Sequence, residues 1–377
     1  MIVSLFISLC KIILDKKFQS VILSMSNIKI SIFSRRADIF YNVKNRQTSL
    51  DTIKCIAAFL VVIIHCRFPD LFGTCCVAVS RVAVPLFFII SGFYYPILVK
   101  KGKLRNHCRK LIIMTLTATT FYFLFNVATG LWNGELEKRF CDFFSLRNVS
   151  IWIFFNGVFY GTPFGGHLWY FYAIIYTLAF MIITDHFKFR KWLYYLIPLL
   201  LIGNYIFNFL PNGLAFMRRN FIFTGLPYVL IGCLFREKEE KFFKSLSIKK
   251  LIAWLLILCA LLAIEMLVYF KLGIMTFTRE HYLVTPFMAL IIFAIALRNP
   301  SLGKKSTYIP HIGQVYSSYI YIYHPFIQSL LYTLLPFADN TLYKWFLPLI
   351  LFMATLFFSI VIKKMSMLIK VRSPRHL

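Results

Sequence analysis

The chain has 377 residues, 59% of them hydrophobic and 18% aromatic, with a mean hydropathy of +0.73. No soluble domain of this size hides so much apolar surface, which excludes an ordinary globular protein. The net charge of +28 invites a nucleic-acid partner, but the basic residues cluster between apolar runs, as in the loops of a membrane protein, so nucleic acid is excluded.

Residues 1–45 open with MIVSLFISLCKIIL. This run is apolar but short, and no small-residue cleavage site precedes the lysines that follow. Two readings fit: an interfacial helix, or a biological start at Met25, which leaves MSNIKISIFSRR as a basic lead-in. From residue 50 to residue 363, apolar runs recur near the ~20-residue length of a membrane span. They are continuous rather than alternating, which disfavours a β-barrel.

The expected fold is therefore all-α, a polytopic transmembrane bundle of about ten spans. They run roughly over 50–68, 76–99, 110–131, 167–185, 191–210, 221–236, 250–271, 281–298, 313–335 and 343–363. The expected organisation is a basic N-terminal segment (1–49), a transmembrane domain (50–363) and a basic tail (364–377).

The links between these spans alternate in charge. One set, which includes both ends of the chain, carries 31 Lys and Arg, and the other carries 8. That asymmetry predicts a multi-pass protein of the cell membrane, in contact with its lipids, with both termini cytoplasmic. The longest outer link, 132–166, is rich in aromatic residues and glycine, as a membrane-hugging segment would be. The nine cysteines show no metal-ligand spacing; Cys66, Cys75, Cys76 and Cys141 fall on the expected outer side, where a disulfide is open to them.

Polar groups inside the spans mark the chemistry. A charged side chain at a helix centre costs at least ~2.5–3.5 kcal/mol, so each is a functional candidate. Lys54 and His65 lie eleven residues apart, ~16 Å of helical rise and close to three turns, and share a face. Lys54 suits a phosphate-bearing donor near the cytoplasmic edge, and His65 suits general-base work deeper in. The plain alternative is a snorkelling lysine and a packed histidine. Asp51 can pair with Lys54 at three residues' spacing.

Arg81 falls near the outer entrance of the second span, as an acceptor-side or structural charge. Ser91 precedes Gly92, a pair that more often packs helices than attacks a substrate. His167 and Trp169 open the fourth span and read as interfacial residues. His324 precedes Pro325, which frees backbone groups that can line a cavity. Glu265 is the acid well inside an apolar run and requires a partner, with His65, Arg81 and His324 as candidates. The cluster Lys100, Lys101, Lys103, Arg105, Arg109 and Lys110 suits the phosphates of coenzyme A, and equally anionic lipid.

The order of these motifs resembles the acyltransferase-3 family of integral membrane acyltransferases, which includes O-acetyltransferases of bacterial surface glycans. The resemblance runs over about 48–363. It rests on Asp51, Lys54, ten residues and His65; on RVAVPLFFIISGF ending the second span; on HLWYFYA from His167; and on GLPYVLIGCLF and SSYIYIYHPF. It departs from the family at Lys54, where Arg is commoner, and at Arg105 and Arg109, one residue further apart than the family's Arg-x-x-Arg pair.

The resemblance implies transfer of an acyl group, acetyl above all, from cytoplasmic acyl-CoA to a hydroxyl of a surface glycan or lipid-linked sugar. Acetyl-CoA is then a donor substrate, with no permanently bound cofactor and no metal. It implies His65 as base or acyl carrier, with Glu265 and His324 as further catalytic candidates. Lys54, Arg105 and Arg109 would bind the donor, and Asp51, Arg81, Ser91, His167 and Trp169 would support the site. The alternative is a transporter or flippase for a sugar or lipid-linked glycan, which also places polar groups near the midplane.

Overall fold

The computed structural model describes residues 47–154, 164–209, 216–242, 246–273, 279–304, 306, 308–334 and 340–372. The N-terminal stretch 1–45 with its two readings, part of the 132–166 link and the end of the tail lie outside the described residues. The chain divides into units 1–48 and 49–377. The second holds everything considered below.

All regular structure among the described residues is helical. The chain opens with α1 (Thr48–His65), α2 (Asp70–Ser80), α3 (Ala83–Lys100) and α4 (Leu104–Asn133). Two short helices follow, α5 (Leu136–Phe143) and α6 (Leu146–Phe154). Then come α7 (Trp169–His186), α8 (Ile197–Ile206), α9 (Leu226–Phe242) and α10 (Ile248–Lys271). The last are α11 (Thr285–Arg298), α12 (Tyr308–Val315), α13 (Ser317–Leu334) and α14 (Thr341–Arg372).

Among the described residues, seven stretches are long and apolar enough to cross a membrane: Thr48–His65, Asp70–Lys100, Leu104–Asn133, Gly166–His186, Arg190–Phe209, Ile248–Lys271 and Thr341–Ser366. The other three expected spans are also helical. α11 is apolar but only 14 residues long. α9 is charged over its last turns, and α13 carries Ser317, His324, Pro325 and Gln328.

One expected boundary moves. The link expected at 67–75 is already helical from Asp70, because Pro69 caps α2 and accepts the Gly73 N–H at 2.9 Å. The real break comes later, at Arg81 and Val82, whose N–H groups bond three residues back to Ala78 and Val79. Pro85 then sits in the first turn of α3, where its missing N–H costs nothing. This break leaves Arg81 between two helices.

Backbone contact locks the core. A Cβ on Gly92 of α3 would lie 2.0 Å from the Val229 carbonyl oxygen of α9, and one on Gly232 2.1 Å from that of Ile89. Small residues let two helices approach this closely where lipid offers no hydrophobic drive for association. Gly313 does the same for α12 and α1, its Cβ position falling 1.8 Å from the Asp51 carbonyl oxygen. Around these contacts Phe88, Phe93, Phe171, Tyr228 and Phe293 are fully buried.

Candidate active site

A cavity of about 100 Å³ opens at the C-terminal end of α1, and His65, Arg81, His167 and Trp169 all line it. Four residues that sequence reasoning left out complete its wall: Arg219, Glu280, His281 and Tyr321. His65 ends α1 and is exposed, and the surface it exposes borders this cavity.

His324 stands directly behind His65. The two ring centroids lie 4.7 Å apart, and His324 is fully buried. Its Nδ1 lies 3.1 Å from the Ile320 carbonyl oxygen. A carbonyl only accepts, so Nδ1 carries the proton and Nε2 holds the lone pair. That Nε2 has no hydrogen-bond partner among the described residues. It is therefore a free acceptor on a ring packed beside those of His65 and His167.

His167 is fixed by the same rule. Its Nε2 lies 3.0 Å from the Ile322 carbonyl oxygen and donates to it, while the Tyr122 hydroxyl donates to the same oxygen at 2.6 Å. Pro325 lies inside α13 and has no N–H for the Tyr321 carbonyl four residues back. Tyr321 returns the favour by donating from its hydroxyl to the His167 carbonyl oxygen at 2.7 Å. The YIYIYHP stretch thus holds His167 and His324 together, with their rings 5.7 Å apart.

The opposite wall is ionic. Arg219 grips Glu280 with both ends of its fork, Nε to Oε2 at 2.8 Å and Nη2 to Oε1 at 2.7 Å. Arg218 approaches the same carboxylate at 4.0 Å. Two asparagines hold this wall rigid. Asn204 donates to the Phe223 carbonyl and the Thr224 hydroxyl, and Asn208 donates to the His281 carbonyl while accepting the His281 N–H. The π-turn Phe221–Gly225 is capped by the Asn220 side chain.

Glu280 lies outside the membrane-spanning helices. Burial pushes its carboxyl up, but Arg219 beside it, with Arg81 and His281, outweighs that and lowers it from 4.5 to about 2.

Glu265 is a correction. Its Oε1 accepts from the Tyr269 hydroxyl at 3.0 Å and from the Leu283 N–H at 2.9 Å, so it braces α10 and does not line the cavity. The acid that stands near Arg81 is Glu280. The other oxygen of Glu265, Oε2, is buried with no hydrogen-bond partner among the described residues. Ser91 donates to the Phe87 carbonyl at 2.8 Å beside the Gly92 contact, as a packing residue does.

At the far end of α1, Lys54 Nζ lies 3.3 Å from the Asp51 carboxylate and 5.6 Å from the centre of the Tyr94 ring. Arg105 and Arg109 are both exposed at the start of α4. Neither borders the cavity. Among the described residues the cysteines are free thiols, including Cys66, Cys75, Cys76 and Cys141.

Fold and site together define a polytopic helical membrane protein with a histidine-rich polar cavity. The family model described as an acyltransferase domain matches residues 47–364, and the chain belongs to the acyltransferase-3 family. Among curated proteins it is similar to a serine/alanine racemase of Enterococcus gallinarum, 28% identical over 75% of this chain and 41% of the relative. It is also similar to an amino-acid racemase of Enterococcus faecalis, 24% identical over 82% of this chain and 45% of the relative. The chain spans less than half the length of these relatives. No solved structure matches it.

Proposed function

We propose that this acyltransferase moves an acyl group, acetyl above all, from acyl-CoA to a hydroxyl of a cell-surface glycan or lipid-linked saccharide. The donor enters from the Lys54 end of α1, taken as the cytoplasmic side of the cell membrane, where both termini also lie. Its phosphates meet Lys54 and the basic link with Arg105 and Arg109. The pantetheine arm covers the ~16 Å of helical rise from Lys54 to His65. The acceptor enters the cavity from the opposite side.

His65 then acts as general base. It takes the proton of the acceptor hydroxyl while that oxygen attacks the thioester carbonyl carbon. As the tetrahedral intermediate collapses, the C–S bond breaks, and the thiolate of coenzyme A leaves with the proton from His65. His324 is the positioning residue: its ring packs against that of His65, and its free Nε2 is the acceptor that one His65 N–H reaches in the working complex, leaving the other His65 nitrogen for the substrate. The observation that supports this reading is the His65 ring, which lines the cavity and lies 4.7 Å from the ring of His324, whose Nε2 has no partner among the described residues.

The racemase activity named for the two relatives is not carried over, because the match covers less than half of each. The test is release of coenzyme A and transfer of label from radiolabelled acetyl-CoA by detergent-purified protein. Wild type is expected to do both. A fully active, well-expressed His65→Ala variant would overturn the assignment of His65. Movement of a glycan with no release of coenzyme A would favour a transporter or flippase instead.

A further inference from the structure

Among the described residues that line the cavity there are two guanidinium groups, Arg81 and Arg219, and one carboxylate, Glu280. Arg218 and Arg219 pair with that carboxylate. Both Glu280 oxygens are taken by Arg219. Arg81 feels Glu280 at range, but its guanidinium makes no hydrogen bond or ion pair among the described residues, and its Nε is buried without a partner. Other acids lie elsewhere: Asp51 with Lys54, Asp185 with Arg190, and Glu265 with Tyr269.

A buried guanidinium without a counter-ion is costly, and its planar fork matches a carboxylate or phosphate. Here it is held at the helix break before Pro85, on the wall of the same cavity as His65 and Trp169. Trp169 is half-buried and lines that wall too.

We propose that the acceptor is anionic: a saccharide carrying a carboxylate or phosphate, which Arg81 clamps while His65 addresses a hydroxyl of the same molecule. The identity of the anion as part of an acceptor rests on the acyl-transfer reading; the anion site itself does not. Arg81 lies at the His65 end, remote from Lys54, so the donor's own phosphates do not account for it.

The test begins without donor. Detergent-purified wild type is titrated with methyl glucuronide, glucose 1-phosphate and methyl glucoside, with tryptophan fluorescence as the readout. At least one anionic ligand is expected to bind about tenfold or more tightly than the neutral one, the yield of one well-formed charged hydrogen bond. Whichever anion wins separates a sugar acid from a sugar phosphate. Arg81→Gln is expected to bring the charged and neutral ligands to within about twofold, and Arg81→Lys to restore part of the gap.

With labelled acetyl-CoA, that loss of preference must appear in KM. An equal fall in kcat for charged and neutral acceptors would instead make Arg81 a stabiliser of the reacting oxygen and overturn the proposal. Equal binding of all three ligands by wild type, or binding of none, overturns it without any variant. Anion binding without acyl transfer would sink the acyltransfer reading alone.

Discussion

The two ends of α1 are built differently. At the Lys54 end the charges are local: Asp51 and Lys54 pair within one helical turn, and the basic residues opening α4 are exposed. At the His65 end the charges are remote in sequence. Arg219 meets Glu280 across 61 residues, and the Tyr321 hydroxyl meets the His167 carbonyl across 154. An exposed cation tolerates movement and suits the large, flexible, polyanionic end of a donor. Bond-making tolerates little, since misplacement of about 1 Å can cost a hundredfold in rate. The rigidity is placed where the chemistry is proposed.

The comparison can be broken most sharply at His65. His65→Ala is expected to lower kcat by about 10²–10⁴-fold, the usual worth of a positioned base, with expression retained. His324→Ala should lower it less and displace the acidic limb of the kcat/KM pH profile, because His65 loses the acceptor that orients it. An unchanged profile would reduce His324 to a packing residue.

Stability separates the ends next. Glu280→Ala leaves Arg219 and Arg218 facing each other in a largely buried wall, and should cost about 3–5 kcal/mol in a reversible unfolding assay in detergent. Gly92→Ala forces α3 from the Val229 carbonyl and should cost about 1–3 kcal/mol by the same measurement. Asp51→Asn, which keeps the size of a buried side chain whose partner Lys54 is partly exposed, should cost less than Glu280→Ala. If Asp51→Asn proved as damaging as Glu280→Ala, the distinction between the two ends would fail.

Glu280 also sets a pH dependence. Its carboxyl is lowered from 4.5 to about 2 in the folded protein. It therefore contributes stability that is fully present above pH 4.5 and is lost as pH falls from there toward 2, while the unfolded chain binds its proton first. Glu280→Gln should flatten this limb of a stability–pH curve, and an unaltered limb would assign it to other acids.

Much of the bundle was legible because lipid imposes a simple rule on sequence. Every backbone polar group must be satisfied within the segment, so spans announce themselves as long apolar helices. The boundaries that slipped did so at special residues. Pro69 started α2 early, and the break at Arg81 was invisible in a run that is apolar on both sides. His65, Arg81, His167 and Trp169 were found because polar groups or ordered motifs stood out against apolar surroundings, and the fold gathers all four around one cavity.

Arg219, Glu280, His281 and Tyr321 were missed because each reads as ordinary in its own segment: a loop arginine, a loop acid, a loop histidine, one tyrosine of several. Only their convergence sets them apart. Glu265 was singled out for the opposite reason, as a lone acid in an apolar run, and a tyrosine one turn away bonds one of its oxygens.

By itself, then, the sequence determined the membrane solvent, the helical class, the family and the polar groups too costly to be accidental. The tertiary structure alone decided which of those groups meet, which nitrogen of His324 holds its lone pair, and that Glu280 pairs with Arg218 and Arg219 while Arg81 stands apart. The physical reason is range. Hydropathy and helical period act between neighbours along the chain, whereas ion pairing and hydrogen bonding across the cavity depend on distances that only packing sets.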